Sequence, residues 1–564
     1  MNLALLTVIF MSFLALGYRF YSRYVESKYK LDKELPTPAE VYNDGQDYTP
    51  TKPFYLMGQH FSAIAAAGPI AGPIIACQQF GWLPCLLWIG LGAIFIGAVH
   101  DFSALMASVR HQARSIAEIV RHRLGRRAWY AMMLFIWIAL MYVIMAFTDI
   151  TASTFVGKSE ELEGLGVTFN RGGAVAAASV IYLILAVVMG LVQRRFNLTL
   201  FYQTIIFVPL SLAAVWAGTK VSTLLVFGPG TWMLLILAYC FLASLLPVWL
   251  LLQPRGYLGG FILYIALTIG VIGLFFGDFP IQQKAFMGWQ GPGLTGALFP
   301  FLFVTIACGA CSGFHGLVAS GTTSKQISKE SHCRPVGYGS MLLEGFVALI
   351  ALSTVMIAAP EALQGLKPGK IYGDGIGRFL TVIIGEGQFL LAATFGAMAF
   401  STFVFDTLDV ATRLGRYILQ ELFGFQGRKG ALIATAITIL LPAGLLMISR
   451  EGAWQLFWTL FGTSNQLLAA LSLLCICVWL KAAGRSFWFA LIPMFFVMTM
   501  TIWSLTVQAS WAFREIQQQG LVLNATFMNG MICLLLIFLA GMMAFEAIRK
   551  SDATAPLVGA PSGN

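Results

Sequence analysis

Residues 305–323 read TIACGACSGFHGLVASGTT. The stretch lies in an apolar region, yet it holds two cysteines, a histidine, four glycines and several hydroxyls. A helix that only faces lipid has no use for such residues. Gly309, Gly313, Gly316 and Gly321 lower helix propensity, while Ser312, Ser320, Thr322 and Thr323 satisfy or compete for backbone groups. Backbone interrupted at membrane depth is tolerated only where it is buried in protein or lines a wet cavity. The stretch therefore predicts a discontinuous membrane helix facing a site.

A second such stretch lies upstream. Residues 58–79, GQHFSAIAAAGPIAGPIIACQQ, repeat Gly-Pro at four-residue spacing. Pro69 offers no N–H to the carbonyl of Ala65, and Pro73 none to that of Pro69. A kinked packing helix with small residues would carry the same signature. The doubled motif beside Gln59, His60 and Ser62 favours a site helix. The first broken span is expected to run outward and the second, seven spans later, inward. Two discontinuous helices of opposite direction point to a secondary transporter built on inverted repeats.

Composition sets the frame around these two breaks. Of 564 residues, 58% are hydrophobic and 11% charged, against about 25% charged in soluble domains. Apolar runs of about 20 residues recur from end to end, which predicts an all-α polytopic membrane protein of about 15 transmembrane helices. Barrel strands would read as shorter alternating segments. The expected organisation is a first helix and loop over 1–57, a core over 58–480, further membrane helices over 481–548, and a short tail over 549–564. With the N-terminus outside, 26 of the 35 Lys and Arg residues fall on one side. That side is expected to be cytoplasmic, as is the C-terminus. The formal charge of +10 then reflects topology and implies no nucleic-acid partner. The first span lacks a basic leader and a small-residue cleavage site, and reads as a retained helix.

Ionisable residues within apolar spans each need a reason. His100 and Asp101 lie in the third span, Glu344 among apolar neighbours in the tenth, and Asp149 near one end of the fourth. Asp406 and Asp409 end an apolar run, and Asn465 and Gln466, uncharged but costly without partners, lie inside another. The bland alternatives are pairs with nearby arginines: Asp406 and Asp409 with Arg413 and Arg416, and Asp101 with Arg110 or Arg114. Glu344 and His315 are candidate proton carriers. His315 follows Cys308 by seven residues and Cys311 by four, which places all three near one face of a continuous helix. A redox Cys-x-x-Cys reading would need a soluble βα unit, and a zinc reading a fourth ligand. No cofactor or metal is expected, and the absence of a P-loop pattern argues against ATP-driven pumping.

Six ordered blocks, GQHFSAIAAAGPIAGP, GAVHDFSAL, IACGACSGFHGLVASGTTSKQI, VGYGSMLLEGFVALIAL, STFVFDTLDVATRLGRYILQE and LFGTSNQLLAAL, resemble the carbon-starvation (CstA) family of bacterial inner-membrane transporters. The resemblance implies uptake of peptides or pyruvate driven by an ion gradient. It also implies inverted repeats like those of the amino acid–polyamine–organocation superfamily. The chain departs from the family pattern at Gln59, where histidine is common, and at His100, where glutamine is.

The expected function is secondary active import of a small carboxylate-bearing solute, peptide or pyruvate, coupled to protons across the bacterial inner membrane. The two breaks would meet near mid-membrane, where helix N-termini favour a carboxylate. Gly68, Gly72, Gly309 and Gly313 would permit close backbone approach. His60, Ser62, Gln78, Ser312, Thr322 and Asn465 would complete the substrate set, and Glu344, His315, Asp101, Asp406 and Asp409 would couple protons. The competing readings are a passive channel or facilitator, a nutrient sensor on a transporter scaffold, and a membrane-embedded enzyme.

Overall fold

The computed structural model describes residues 2–550 except 32–34, 45–47, 66, 158, 163–166, 292–295, 450–453, 521 and 523. Residues 551–564, most of the expected tail, lie outside the described residues.

The chain opens with helices α1 (Leu3–Leu16) and α2 (Ser22–Tyr29), joined through a π-helical turn at Gly17–Tyr21, and the short α3 (Pro38–Val41). The first broken span follows as α4 (Pro53–Ile64) and α5 (Gly68–Phe80). Helices α6 (Trp82–Gly92) and α7 (Ala98–Arg110) form one span around a π-helical turn at Ala93–Gly97. Next come α8 (Ile116–Leu124) and α9 (Arg126–Thr154). Ser115 starts α8 with a capping box: its hydroxyl accepts from the Glu118 amide, and the Glu118 carboxylate accepts from the Ser115 amide. An antiparallel hairpin, β1 (Ser159–Leu162) with β2 (Val167–Asn170), is an exception to the all-helical expectation.

Helices α10 (Arg171–Phe196), α11 (Leu200–Lys220), α12 (Pro229–Leu245) and α13 (Leu252–Phe276) lead to the second broken span, α14 (Leu298–Thr305) and α15 (Gly313–Gly321). Beyond it lie α16 (Ser340–Met356), α17 (Pro368–Ile384), α18 (Phe389–Phe423), α19 (Gly427–Ile448), α20 (Trp454–Ala482), α21 (Trp488–Gln519) and α22 (Ala525–Lys550).

Among the described residues, twelve helices are long and apolar enough to cross a bilayer, or thirteen with the bent pair α4–α5 counted as one. The axis bends by 48° within that pair. Burial separates centre from periphery. The most apolar window of α20 is 94% buried and that of α9 89%, against 28% for Leu3–Tyr29 and for α11. The first helix and α11 thus present their apolar surface outward, and α9 and α20 stand in the middle with α16 and α18.

Helix α17, PGKIYGDGIGRFLTVII, carries four glycines and several charges. Its glycines let it pack against α18, with Gly373 and Gly377 lying against Ala397 and Ala393.

The two broken spans run antiparallel, and the ends of the segments show why. At the start of α4, the Thr49 and Thr51 amides donate to the carbonyls of Lys325 and Gln326, just beyond α15 (3.2 and 3.0 Å). At the far end of α5, the Met287 amide donates to Phe80 (3.1 Å), and Trp82 and Leu83 donate to Lys284 and Ala285 (3.3 and 3.0 Å). The start of one span and the end of the other therefore share a face of the bundle at both ends.

Candidate functional site

The first break differs from its expected cause. Helix α4 stops at Ala65 (ψ 57°), and Pro69 occupies the first turn of α5, where a missing N–H has no carbonyl to lose. Pro69 thus starts a helix, and only Pro73 lies inside one. The second break spans residues 306–312 between α14 and α15. It separates Cys308 and Cys311 from the helix that carries His315, so the three do not share a helical face.

A helix that ends within a bundle must find donors for its last carbonyls. Those of α14 are met by side chains from two neighbours. Gln466 Nε2 donates to the Phe303 carbonyl (2.9 Å), Trp458 Nε1 to Thr305 (3.2 Å) and Trp88 Nε1 to Ile306 (3.0 Å). At the start of α15, Asn465 Oδ1 accepts from the Phe314 amide (2.9 Å), and its Nδ2 donates to Ser312 Oγ (3.0 Å) and contacts Cys308 Sγ (3.3 Å). Adjacent residues of α20 therefore hold both lips of the second break. Sequence reading missed Trp88 and Trp458. Their signal was a tryptophan inside an apolar run, where a buried indole N–H needs a partner.

The breaks face each other. A Cβ placed on Gly68 would stand 2.7 Å from Cys308 Cβ, and one on Gly72 would stand 2.7 Å from the Thr305 carbonyl oxygen. Gly309 lies against Pro69 and Ala348, and Gly313 against the Asn465 backbone. Backbone cannot swing aside as a flexible side chain can. Gly72→Ala should therefore lower stability by about 1–3 kcal/mol through overpacking, read as a reduced unfolding temperature of the purified protein in detergent.

Beside the second break lies a chain of titratable groups from three helices. Asp101 on α7 contacts His100 Nδ1 through Oδ1 (2.7 Å) and His315 Nδ1 on α15 through Oδ2 (2.8 Å). On the other side of the ring, His315 Nε2 stands 3.1 Å from Glu344 Oε2 on α16. All four side chains are at most 1% exposed. An ionised Asp101 accepts only, so His315 Nδ1 carries a hydrogen toward it. The His315–Glu344 contact then needs one more proton, either on Nε2 as an imidazolium or on the carboxyl. The alternative reading, Asp101 paired with Arg110 or Arg114, is not what is found: Arg110 holds Glu330 through two contacts (2.7 and 2.8 Å).

The remaining candidates are dispersed. His60 is buried and its Nδ1 meets Thr323 Oγ1 (2.8 Å), while neighbouring Thr322 is exposed at the end of α15, away from the break. Ser62 faces Gly260 of α13. Gln78 lies three turns along α5 from the break, lining a cavity at the helix end. Asp149 pairs with Lys367 (3.2 Å).

Asp406 and Asp409 form a second, separate cluster. Both face Arg255, which is 0% exposed and contacts them at 2.6 and 3.1 Å. Tyr239 donates to Asp409 (2.8 Å), and Tyr182 donates to the Arg255 carbonyl (2.8 Å). Arg413 and Arg416, the partners of the alternative reading, bind backbone carbonyls at Ala243, Ser244 and Leu246 instead. Those carbonyls lie at the C-terminal end of α12, where acceptors without intrahelical partners attract cations.

The profile of the family described as Carbon starvation protein CstA matches residues 2–374 and 362–504. The chain belongs to the CstA family. Within it, the Campylobacter jejuni protein named peptide transporter CstA is 33% identical, aligned over 86% of this chain and 78% of its own length. The Bacillus subtilis peptide transporter CstA is 32% identical over 98% and 97%. The Escherichia coli pyruvate/proton symporter BtsT is 29% identical over 87% and 79%. These CstA relatives are named as transporters, not enzymes. A manganese transporter structure from Eremococcus coleocola aligns with a TM-score of 0.45 and 14% identity, over 88% of this chain and 94% of that one.

Proposed function

We propose that this multi-pass membrane transporter imports a small carboxylate-bearing nutrient, a short peptide or pyruvate, together with protons. The observation that carries the reading is His315: a buried ring held between Asp101 and Glu344, on a half-helix that begins at the second break. A proton resting on His315 Nε2 or on the Glu344 carboxyl gives the site two charge states without moving a heavy atom far. Because α15 and α16 both touch that proton, its arrival or departure changes what holds the half-helix in place. The substrate carboxylate would sit where α5 and α15 both begin, at two positive helix ends.

Inverted repeats are supported by the order of elements. Each broken span is followed by a span with a π-helical turn, then a short helix, then a long central helix, in the opposite direction the second time. Adding α12 and the pair α14–α15 to the thirteen spans gives fifteen crossings. The basic ends would face the cytoplasm, the N-terminus would lie outside, and the protein would reside in the bacterial inner membrane. The carrier core would be residues 58–480.

The test is uptake of labelled pyruvate and trialanine into proteoliposomes under an imposed pH gradient, alkaline inside. Accumulation above the external concentration is expected, with loss of it on adding a protonophore. Equal accumulation with and without the gradient would refute proton coupling, and uptake that only equilibrates would indicate a passive facilitator.

A further inference from the structure

At the end of α5 opposite the start of α4 is a cavity of about 590 Å³, within the range of small-ligand sites. Its walls come from α5, the segment before α14, the turn leading into α17, and the start of α20. Five of its lining residues are glutamines: Gln78, Gln79, Gln283, Gln364 and Gln455. Lys367 and Trp454 complete the polar and aromatic part of the wall. Lys367 is paired with Asp149 (3.2 Å) and its ammonium lies 5.9 Å from the Trp454 ring centre. Gln283 and Gln78 are already committed, their Nε2 atoms donating to the Ala358 and Ile74 carbonyls (2.6 and 3.3 Å), and so brace the wall.

A primary amide offers two donors and an acceptor, the complement of a peptide group. Several amides converging on one cavity beside an ammonium and an indole suit a solute with successive amide groups, a free carboxylate and short side chains. Pyruvate has no amide and would leave most of this volume to water. One face of α5 runs from the cavity to the breaks. Gly68, Gly72, Ile75 and Gln79 follow one another at steps of four, three and four residues, so they lie in a single file on α5. Gly68 and Gly72 are the residues that meet the second break.

We propose that this amide-lined cavity is a reception site for a short peptide of two or three residues, which the file along α5 connects to the breaks. Gln79 and Gln364 pair with the peptide groups, Lys367 with the terminal carboxylate, and Trp454 supports a side chain. This inference rests on the importer reading for its direction, since the cavity must face the side from which solute arrives.

The experiment measures trialanine binding to the purified full-length protein by calorimetry, and trialanine and pyruvate uptake into proteoliposomes, for the native chain and for Gln79→Leu/Gln364→Leu. The double variant should bind trialanine about tenfold more weakly, the scale of one or two neutral hydrogen bonds. Its ligand-free unfolding temperature and its pyruvate uptake should not change. Lys367→Gln is the second variant and should weaken trialanine binding more than binding of trialanine amide. Unchanged trialanine affinity in both variants would overturn the site. Accumulation of pyruvate by a native chain that does not bind trialanine would overturn the site's ligand and leave the importer reading standing. Failure of the native chain to accumulate either solute would overturn both.

Discussion

Glu344→Gln should abolish gradient-driven accumulation, by about two orders of magnitude or more, while leaving substrate exchange at equal pH largely intact. The glutamine fills the same volume beside His315 and retains an oxygen at the position 3.1 Å from Nε2, but it cannot take up or release a proton. On the proposed mechanism, a pair that shares one mobile proton becomes a fixed contact. Transport steps that need no change of charge survive, and those that need one stop. The measurement compares counterflow of labelled substrate with accumulation under a pH gradient in the same proteoliposomes. A purely structural role would reduce both together, and retained accumulation would show that the proton is carried elsewhere.

Arg255→Leu should be the most destabilising single change of those considered. It leaves Asp409 buried, with Tyr239 donating to it, and Asp406, a quarter exposed, without the guanidinium that both contact. Removing one partner of a buried ion pair strands the other charge, at about 3–5 kcal/mol. The loss should appear as a lower unfolding temperature in detergent and a poor yield of folded protein. Adding Asp406→Asn and Asp409→Asn to Arg255→Leu should recover much of it, since no charge is then left without a partner. Failure of the triple variant to recover stability would mean that Arg255 acts through packing of its stem rather than through its charge.

The same residues explain what could be read from sequence and what could not. The two breaks were legible because glycines, prolines and hydroxyls within an apolar run have local consequences for the backbone, and the helices do stop between Ile64 and Gly68 and between Thr305 and Gly313. The partners of buried charges were not legible. Asp409 lies four residues from Arg413 but pairs with Arg255, more than 150 positions away. Asp101 likewise passes over Arg110 for His315. Sequence proximity favours a neighbour one turn along the same helix, but a side chain on the buried face meets whatever the adjoining helix presents. Pro69 was misassigned for a related reason. A proline in a run of helical residues looks like an interruption until the position of the helix start is known, and here it sits at the start. Asn465 and Gln466 were recognised as too polar for a lipid-facing span, but that α20 uses them to hold the ends of a different helix follows only from the packing.

One arrangement has mechanical consequences. The strap of hydrogen bonds from Thr49 and Thr51 to the chain beyond α15 ties the lower half of one broken span to the lower half of the other. The contacts around Phe80, and the close approach of Gly72 to Thr305, do the same for the upper halves. Each face of the bundle thus owns a leaf made of two half-spans, and within each span only non-helical backbone joins the leaves. Bending concentrated at those two joints would turn one leaf relative to the other about α20, whose Asn465 and Gln466 hold both sides of the second joint, as a double door turns on a common post.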